Sequence, residues 1–275
     1  MKPIDIHAVI LVFYSTPVKP GSVHRLMPTS EFELRLVEAA VAADAAVEAY
    51  ERGRQLRRGS RDSRTMMLGS LISDYLKLAL EKTGEQPLTG PIVASVVTGA
   101  IIGYAEAGGE SPRQATNRLI QYALYRSPPS QAASFIEGLE SIGAREEVLL
   151  LDEKGASRRQ VELHGLTLGD VFEILGEKDS GYWLNIRNYS RILETASIAE
   201  QASSLVEASI RAFVDVAKRV GEDVNISPLK EMLARDAQLR RRGAGTARAL
   251  GGALAAVLLA YSERVDMPIV PKHKG

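Results

Sequence analysis

Residues 15–25 read STPVKPGSVHR and set Lys19, His24 and Arg25 in one short stretch with Pro17, Pro20 and Gly21. Proline restricts the backbone around it, and glycine opens conformations that other residues avoid. A rigid turn ending in Gly21-Ser22 can aim successive backbone N–H groups at an anion, and Lys19 and Arg25 would add charge-assisted contacts. The chemistry this fits is recognition of an anion. The same residues also fit a plain connection between two helices whose charges face water.

Two arginine-rich runs, RGRQLRRGSRDSR at 52–64 and LRRRGAGTAR at 239–248, have a similar pair of readings. Each is either a solvated surface or a clamp in which arginine neutralises a polyphosphate or nucleotide. Neither is interleaved with aromatics or sits in a recognition motif, so nucleic acid is not indicated as a partner. The four histidines, at 7, 24, 164 and 273, lack ligand spacing. The absence of cysteine removes disulfides, Cys-ligated zinc, iron–sulfur clusters and thiol catalysis. No Gly-x-Ser-x-Gly elbow supports a Ser-His-Asp hydrolase. Asp74 is either a Mg²⁺ ligand or base, or an exposed helix carboxylate, and Trp183 either lines a pocket or plugs the core.

The stretch TPVKPGSVHR resembles the signature of the triphosphoribosyl-dephospho-CoA synthase family, in which Thr-Pro-Lys-Pro-Gly is often followed by Val and then Asp or His with Arg. Val18 is one residue more than that pattern. Later blocks follow in the family's order. The family's Asn-Thr-Asn-Leu-Gly helix start is similar to Thr65-Met66-Met67-Leu68-Gly69, where Leu-Gly persists and both asparagines are replaced. Its Asn-Pro-Gly-Thr block and Ala-Asp-Leu step resemble Gly243-Ala244-Gly245-Thr246-Ala247-Arg248-Ala249-Leu250, which keeps Gly-Thr and lacks the carboxylate. Asp170-Val171-Phe172 and Lys178-Asp179-Ser180-Gly181-Tyr182 are similar to a further block. The pattern is that of a divergent, archaeal-type member.

The resemblance implies an all-helical transferase that joins ATP to 3′-dephospho-CoA, or a related acceptor, and releases adenine. ATP would be a substrate, Mg²⁺ would accompany it, and no metal ligand is assigned. Lys19 and Arg25 would contact phosphate, Gly21 and Ser22 would give close backbone approach, and His24 would orient or protonate. Gly69, Gly245 and Thr246 would complete the nucleotide site, so the 16–25 turn, Gly69 and Gly243–Thr246 are expected to converge on one cleft. A methionine pair cannot replace the hydrogen bonds of two asparagines. The alternative is therefore a non-catalytic nucleotide-binding or scaffold protein that retains the fold.

The elements that must position these residues are mostly helices. With 45% apolar and 25% charged residues in 275, the composition is that of a globular protein with a sizeable core. Zero net charge argues against bulk attraction to nucleic acid or an anionic membrane. Helix starts are signalled by Ser30 with Glu33, by Ser111-Pro112 with Gln114, by Thr167 with Asp170 and by Ser227-Pro228. One helical pattern runs from about 189 to 220 and stops at Gly221. EEVLLLDEKGASRRQVELHG reads as two short strands around Asp152–Gly155, a small β-hairpin near 147–163. HAVILVFYS is ambiguous between strand and helix, and GSRDSR at 59–64 reads as a loop. The apolar runs PIVASVVTGAIIGYAEA and ALGGALAAVLLAY fall short of a membrane span and carry glycines suited to close packing, which makes them core helices. With no signal-peptide pattern and no cysteine, a cytoplasmic location is expected. The expected architecture is one all-α domain over 1–275.

Overall fold

A computed structural model describes residues 1–59, 67–241 and 246–270, excepting the side chains of 240 and 241. Helices make up 72% of the molecule, and no strand occurs among the described residues. The ambiguous N-terminal segment is helix α1 (Pro3–Tyr14). It is followed by α2 (Thr29–Arg57), α3 (Leu68–Thr83), α4 (Thr89–Gly108) and α5 (Pro112–Leu119). Next come α6 (Pro129–Ser141), α7 (Arg145–Glu153), α8 (Arg158–His164) and α9 (Leu168–Leu175). The chain ends with α10 (Tyr189–Glu200), α11 (Leu205–Arg219), α12 (Leu229–Arg241) and α13 (Leu250–Glu263). One apolar core draws on helices from both ends of the chain.

Helices α4 and α13 are the two apolar runs, and both are buried on nearly every side, the pattern of a central helix. Helix α4 packs along α2 and against α13, while α13 is flanked by α10 and α11. The α2–α4 approach is close because its contact residues are small. A Cβ at Gly99 would lie 2.2 Å from the Ala46 carbonyl oxygen, and one at Gly103 would lie 1.9 Å from that of Tyr50. Only glycine fits there, which explains why the buried face of α2 is so rich in alanine. Among the described residues α4 alone is long and apolar enough to cross a membrane, and 83% of its apolar window lies inside the fold.

The structure corrects three expectations. Residues 147–163 form no hairpin: they belong to α7 and α8. Gly155 does turn the chain, at φ 70°, but as the terminator of a helix. The Ala156 N–H reaches back to the Leu151 carbonyl, and Ser157 with Gln160 then opens α8 in a capping box. Ser30 is not a cap, because α2 starts at Thr29 directly after an extended Pro28. The 189–220 pattern is two helices, broken at 201–204 where Ser204 caps α11 through the Glu207 N–H. The caps at Ser111 and Thr167 are as expected, and residues 60–64 of the 59–64 loop lie outside the described residues.

Candidate active site

Three segments begin at one place: α4, a 3₁₀ turn at Ser180–Tyr182, and a second at Ala247–Ala249 that leads into α13. They meet backbone to backbone. A Cβ on Gly181 would fall 2.3 Å from Gly90 Cα, and one on Gly251 would fall 2.4 Å from Gly181 Cα. Ser180 fastens the third segment to the second. Its hydroxyl donates to the Arg248 carbonyl at 2.7 Å and accepts from the Gly252 N–H at 3.0 Å.

The start of α4 is anchored from beneath. The buried Glu38 carboxylate accepts from the Leu88 N–H at 3.2 Å, the Tyr14 hydroxyl at 3.2 Å and Arg35 at 2.6 Å. Burial pushes the Glu38 carboxyl above its ordinary value, while Arg35 opposes this. Above this anchor, Thr89 donates its hydroxyl to Glu147 Oε1 at 2.8 Å, which ties α4 to the first turn of α7. Asp179 sits against Gly90, and its Oδ1 accepts from the Gly181 N–H at 2.6 Å.

A cleft of about 580 Å³ opens over these residues, lined in part by Thr89, Glu147, Asp179, Arg145 and Arg248. A second lobe of about 500 Å³ shares Glu147, Asp179 and Arg248 and reaches Tyr182. Burial, with the Glu147 charge adding to it, raises the Asp179 carboxyl to about 7; the Gly181 N–H and Arg248 act the other way. The Tyr182 hydroxyl, beside Thr89, is buried without a well-formed hydrogen bond, and burial raises its pKa. Arg248 is half-exposed and paired with Glu222. The arrangement offers a carboxyl that exchanges a proton near neutrality, a second carboxylate and two guanidinium groups, all facing one cavity. Perturbed acids in clefts are a recurrent feature of sites that move protons.

The residues singled out from the sequence occupy different places. Lys19 is fully buried: its ammonium donates to the Phe13 carbonyl at 2.5 Å and lies 4.6 Å from the centre of the Phe13 ring. It caps the C-terminus of α1, where a cation meets unpaired carbonyls. Burial lowers the Lys19 pKa to about 7. Gly21 has φ 73°, and its N–H donates to Asp236 Oδ1 at 2.8 Å. The turn thus does receive an anion, and it is a carboxylate of the same chain. His24 is buried with Nε2 3.1 Å from that oxygen, and its Nδ1 accepts from the Leu26 N–H. Ser22 is buried and donates its N–H to the Lys19 carbonyl, while Arg25 is exposed and donates its N–H to Thr16.

Thr246 joins this turn. Its hydroxyl donates to Pro20 and its N–H to Gly21, each at 2.9 Å. Gly69 packs elsewhere, with the Gln131 carbonyl 2.0 Å from where its Cβ would be. The turn and Thr246 therefore meet, whereas Gly69 is committed to the α3–α6 contact. Gly245 lies outside the described residues. None of residues 16–25 is among the described lining of the cleft, which the 239–248 run reaches through Ala247 and Arg248. Arg52 and Arg54 pair with Glu48 and Glu51, and Arg57 with Glu110, which engages that part of the first arginine run on α2. Asp74 is exposed, and Trp183 is buried with its indole N–H on the Gly176 carbonyl. Sequence reasoning passed over Thr89, Gly90, Glu147 and the role of Asp179. The available signals were Thr-Gly-Pro at a helix start and the second glycine of an acidic turn.

No family model, no curated protein and no solved structure matches the chain significantly.

Proposed function

We propose that the protein is a nucleotide-dependent transferase whose chemistry takes place in the cleft over Thr89, Glu147 and Asp179. The supporting observation is Asp179: a largely enclosed carboxyl, poised near 7, at the junction of three helix starts and beside a second carboxylate. Combined with the sequence resemblance, this favours transfer of the triphosphoribosyl part of ATP to a dephospho-CoA-like acceptor. In that reaction the bond from the ribose to adenine breaks, an acceptor hydroxyl oxygen takes its place on the ribose carbon, and adenine leaves with a proton. Asp179 supplies that proton and regains one from the acceptor hydroxyl, since a group with a pKa close to ambient pH serves best as both donor and acceptor. Arg248 and Arg145 balance triphosphate charge. Lys19, Gly21, Ser22 and His24 hold the turn that anchors Thr246, two residues before Arg248, and so support the site from behind.

A divalent cation fits this site only as one shared with substrate. Among the described residues no group of three or more metal-binding side chains comes together, but Mg²⁺ is commonly held by one carboxylate plus substrate phosphates. Glu147 is the residue that would hold it, and the ion would neutralise phosphate charge.

The test is incubation with ATP, Mg²⁺ and dephospho-CoA, with free adenine read by mass spectrometry. Adenine release that is lost in Asp179→Asn supports the transferase. An ATP-induced rise in melting temperature that Arg248→Ala removes, without adenine release, supports the binding-protein alternative. Neither response would sink the cleft as a nucleotide site.

A further inference from the structure

Arg248 also lines a further groove of about 440 Å³, together with Lys178, Trp183, Asn188, Arg191 and Arg219 among others. Its cations are not equally committed. Arg219 is held by Asp215 and Glu194, each at 2.8 Å, and Arg248 by Glu222. The two carboxylates in the lining are also occupied, Glu173 by Arg187 and Glu177 by Lys154. Lys178 and Arg191 have no carboxylate partner among the described residues, and both are exposed to the groove's solvent.

Arg191 is also held in place. Its guanidinium carbon lies 5.1 Å from the centre of the Trp183 ring, and that indole is buried and fixed by its N–H bond to Gly176. Stacking on an aromatic face secures a guanidinium while leaving its N–H edge free for two parallel hydrogen bonds to a tetrahedral anion. A pre-placed, unpaired fork beside an unpaired ammonium is an arrangement that needs little ordering when the anion arrives.

We propose that this groove is a binding site for the diphosphate group of a small phosphorylated ligand, with Arg191 as the bidentate contact and Lys178 as the second charge. The groove shares Arg248 with the cleft, and both Arg248 and Lys178 with the cleft's second lobe. On the reading above, the groove would therefore take the phosphate-bearing end of the acceptor, but its own test does not depend on any reaction. Trp183 is the sole tryptophan of the chain and lines this groove, so tryptophan fluorescence comes from a residue of the proposed site.

The experiment is titration of the full chain with inorganic pyrophosphate, followed by Trp183 fluorescence and by calorimetry. Saturable binding is expected, weakened roughly tenfold or more in Arg191→Ala and further in Arg191→Ala/Lys178→Ala, in line with the loss of a charge-assisted bidentate contact. Arg191→Lys, which keeps the charge and loses the fork, should fall between. Arg159→Ala, at an exposed position of α8 that lines neither cavity, should leave the affinity unchanged. Arg191→Ala and the double variant should melt with the wild type, which separates a binding loss from a folding loss. The proposal is overturned by absence of binding, by a double variant within twofold of wild type, or by an Arg159→Ala effect as large as that of Arg191→Ala.

Discussion

Thr246 donates its hydroxyl to the Pro20 carbonyl across 226 positions of sequence, at 2.9 Å and out of contact with water. Its amide donates to Gly21 beside it, and the Gly21 amide in turn donates to Asp236. The early proline turn is therefore a socket for the chain's return, closed on one side by α12 and on the other by the approach to α13. Because Arg248 follows Thr246 by two residues, the socket sets where that guanidinium enters the cleft. Thr246→Val should leave the Pro20 carbonyl buried and unpaired, at a cost of about 1–2 kcal/mol in urea unfolding. Thr246→Ser should restore most of it. The ATP-dependent rise in melting temperature should shrink in Thr246→Val and return in Thr246→Ser.

Part of this was legible in the sequence because it is local. The capping boxes at Ser111 and Thr167, and the glycines of the two apolar helices, are read from neighbours three or four residues apart. Residues 147–163 differ from the expected hairpin because a glycine turn between two apolar runs is common to hairpins and to helix pairs. What decides it is the backbone wrap from Ala156 to Leu151. The resemblance implies convergence of the turn with the 243–246 segment, and the two do meet through Thr246, but away from the lining of the cleft. An anion at the turn is legible locally, but its identity as a carboxylate of the same chain is not. Asp236 lies 215 positions from Gly21, and no periodicity marks a carboxylate that will fold back on a distant amide. The Thr89–Glu147–Asp179 cluster was hidden for the same reason: each member is an ordinary helix-start residue until the starts of α4, α7 and the Ser180–Tyr182 turn come together.

Lys19 predicts a pH dependence of stability. Burial lowers its folded pKa from 10.5 to about 7, so between these values the unfolded chain binds more protons than the native one. Stability must then rise as pH climbs from about 7 toward 10.5, and the penalty for burying the ammonium is fully present below 7. Its full size is on the order of 4–5 kcal/mol, taking about 1.4 kcal/mol per pH unit. Lys19→Met should flatten the rise, measured as urea midpoints from pH 6.5 to 9.5. An unchanged slope would mean that the ammonium keeps an ordinary pKa.

Asp179 acts with the opposite sign. Its folded pKa is raised from 3.8 to about 7, so between those values the native state binds more protons. Its contribution is most favourable below about pH 4, is lost as pH rises through 7, and leaves a full penalty above. Asp179→Asn should therefore stabilise the protein at pH 8 more than at pH 5, while abolishing adenine release. Equal midpoint shifts at the two pH values would remove the case for a raised Asp179 pKa.

The glycine contact between Gly90 and Gly181 offers the sharpest test of the cleft's construction. A Cβ on Gly181 would meet Gly90 Cα at 2.3 Å and its carbonyl oxygen at 2.6 Å, both backbone atoms of a buried helix start. Neither can swing aside as a flexible side chain would, so the 3₁₀ turn itself must lift away from α4. Overpacking of this kind costs about 1–3 kcal/mol, and here the displaced segment carries Asp179 on one side and Tyr182 on the other. Gly181→Ala is thus expected to lower stability by that amount and to weaken ATP binding in the cleft. Gly165→Ala serves as a control: its Cβ would meet nothing within 4 Å, although its φ of 68° adds backbone strain. That variant should lose about 1 kcal/mol or more through strain alone and leave nucleotide binding intact. If both variants lose stability but keep the same ATP affinity, the three helix starts do not set the geometry of the site.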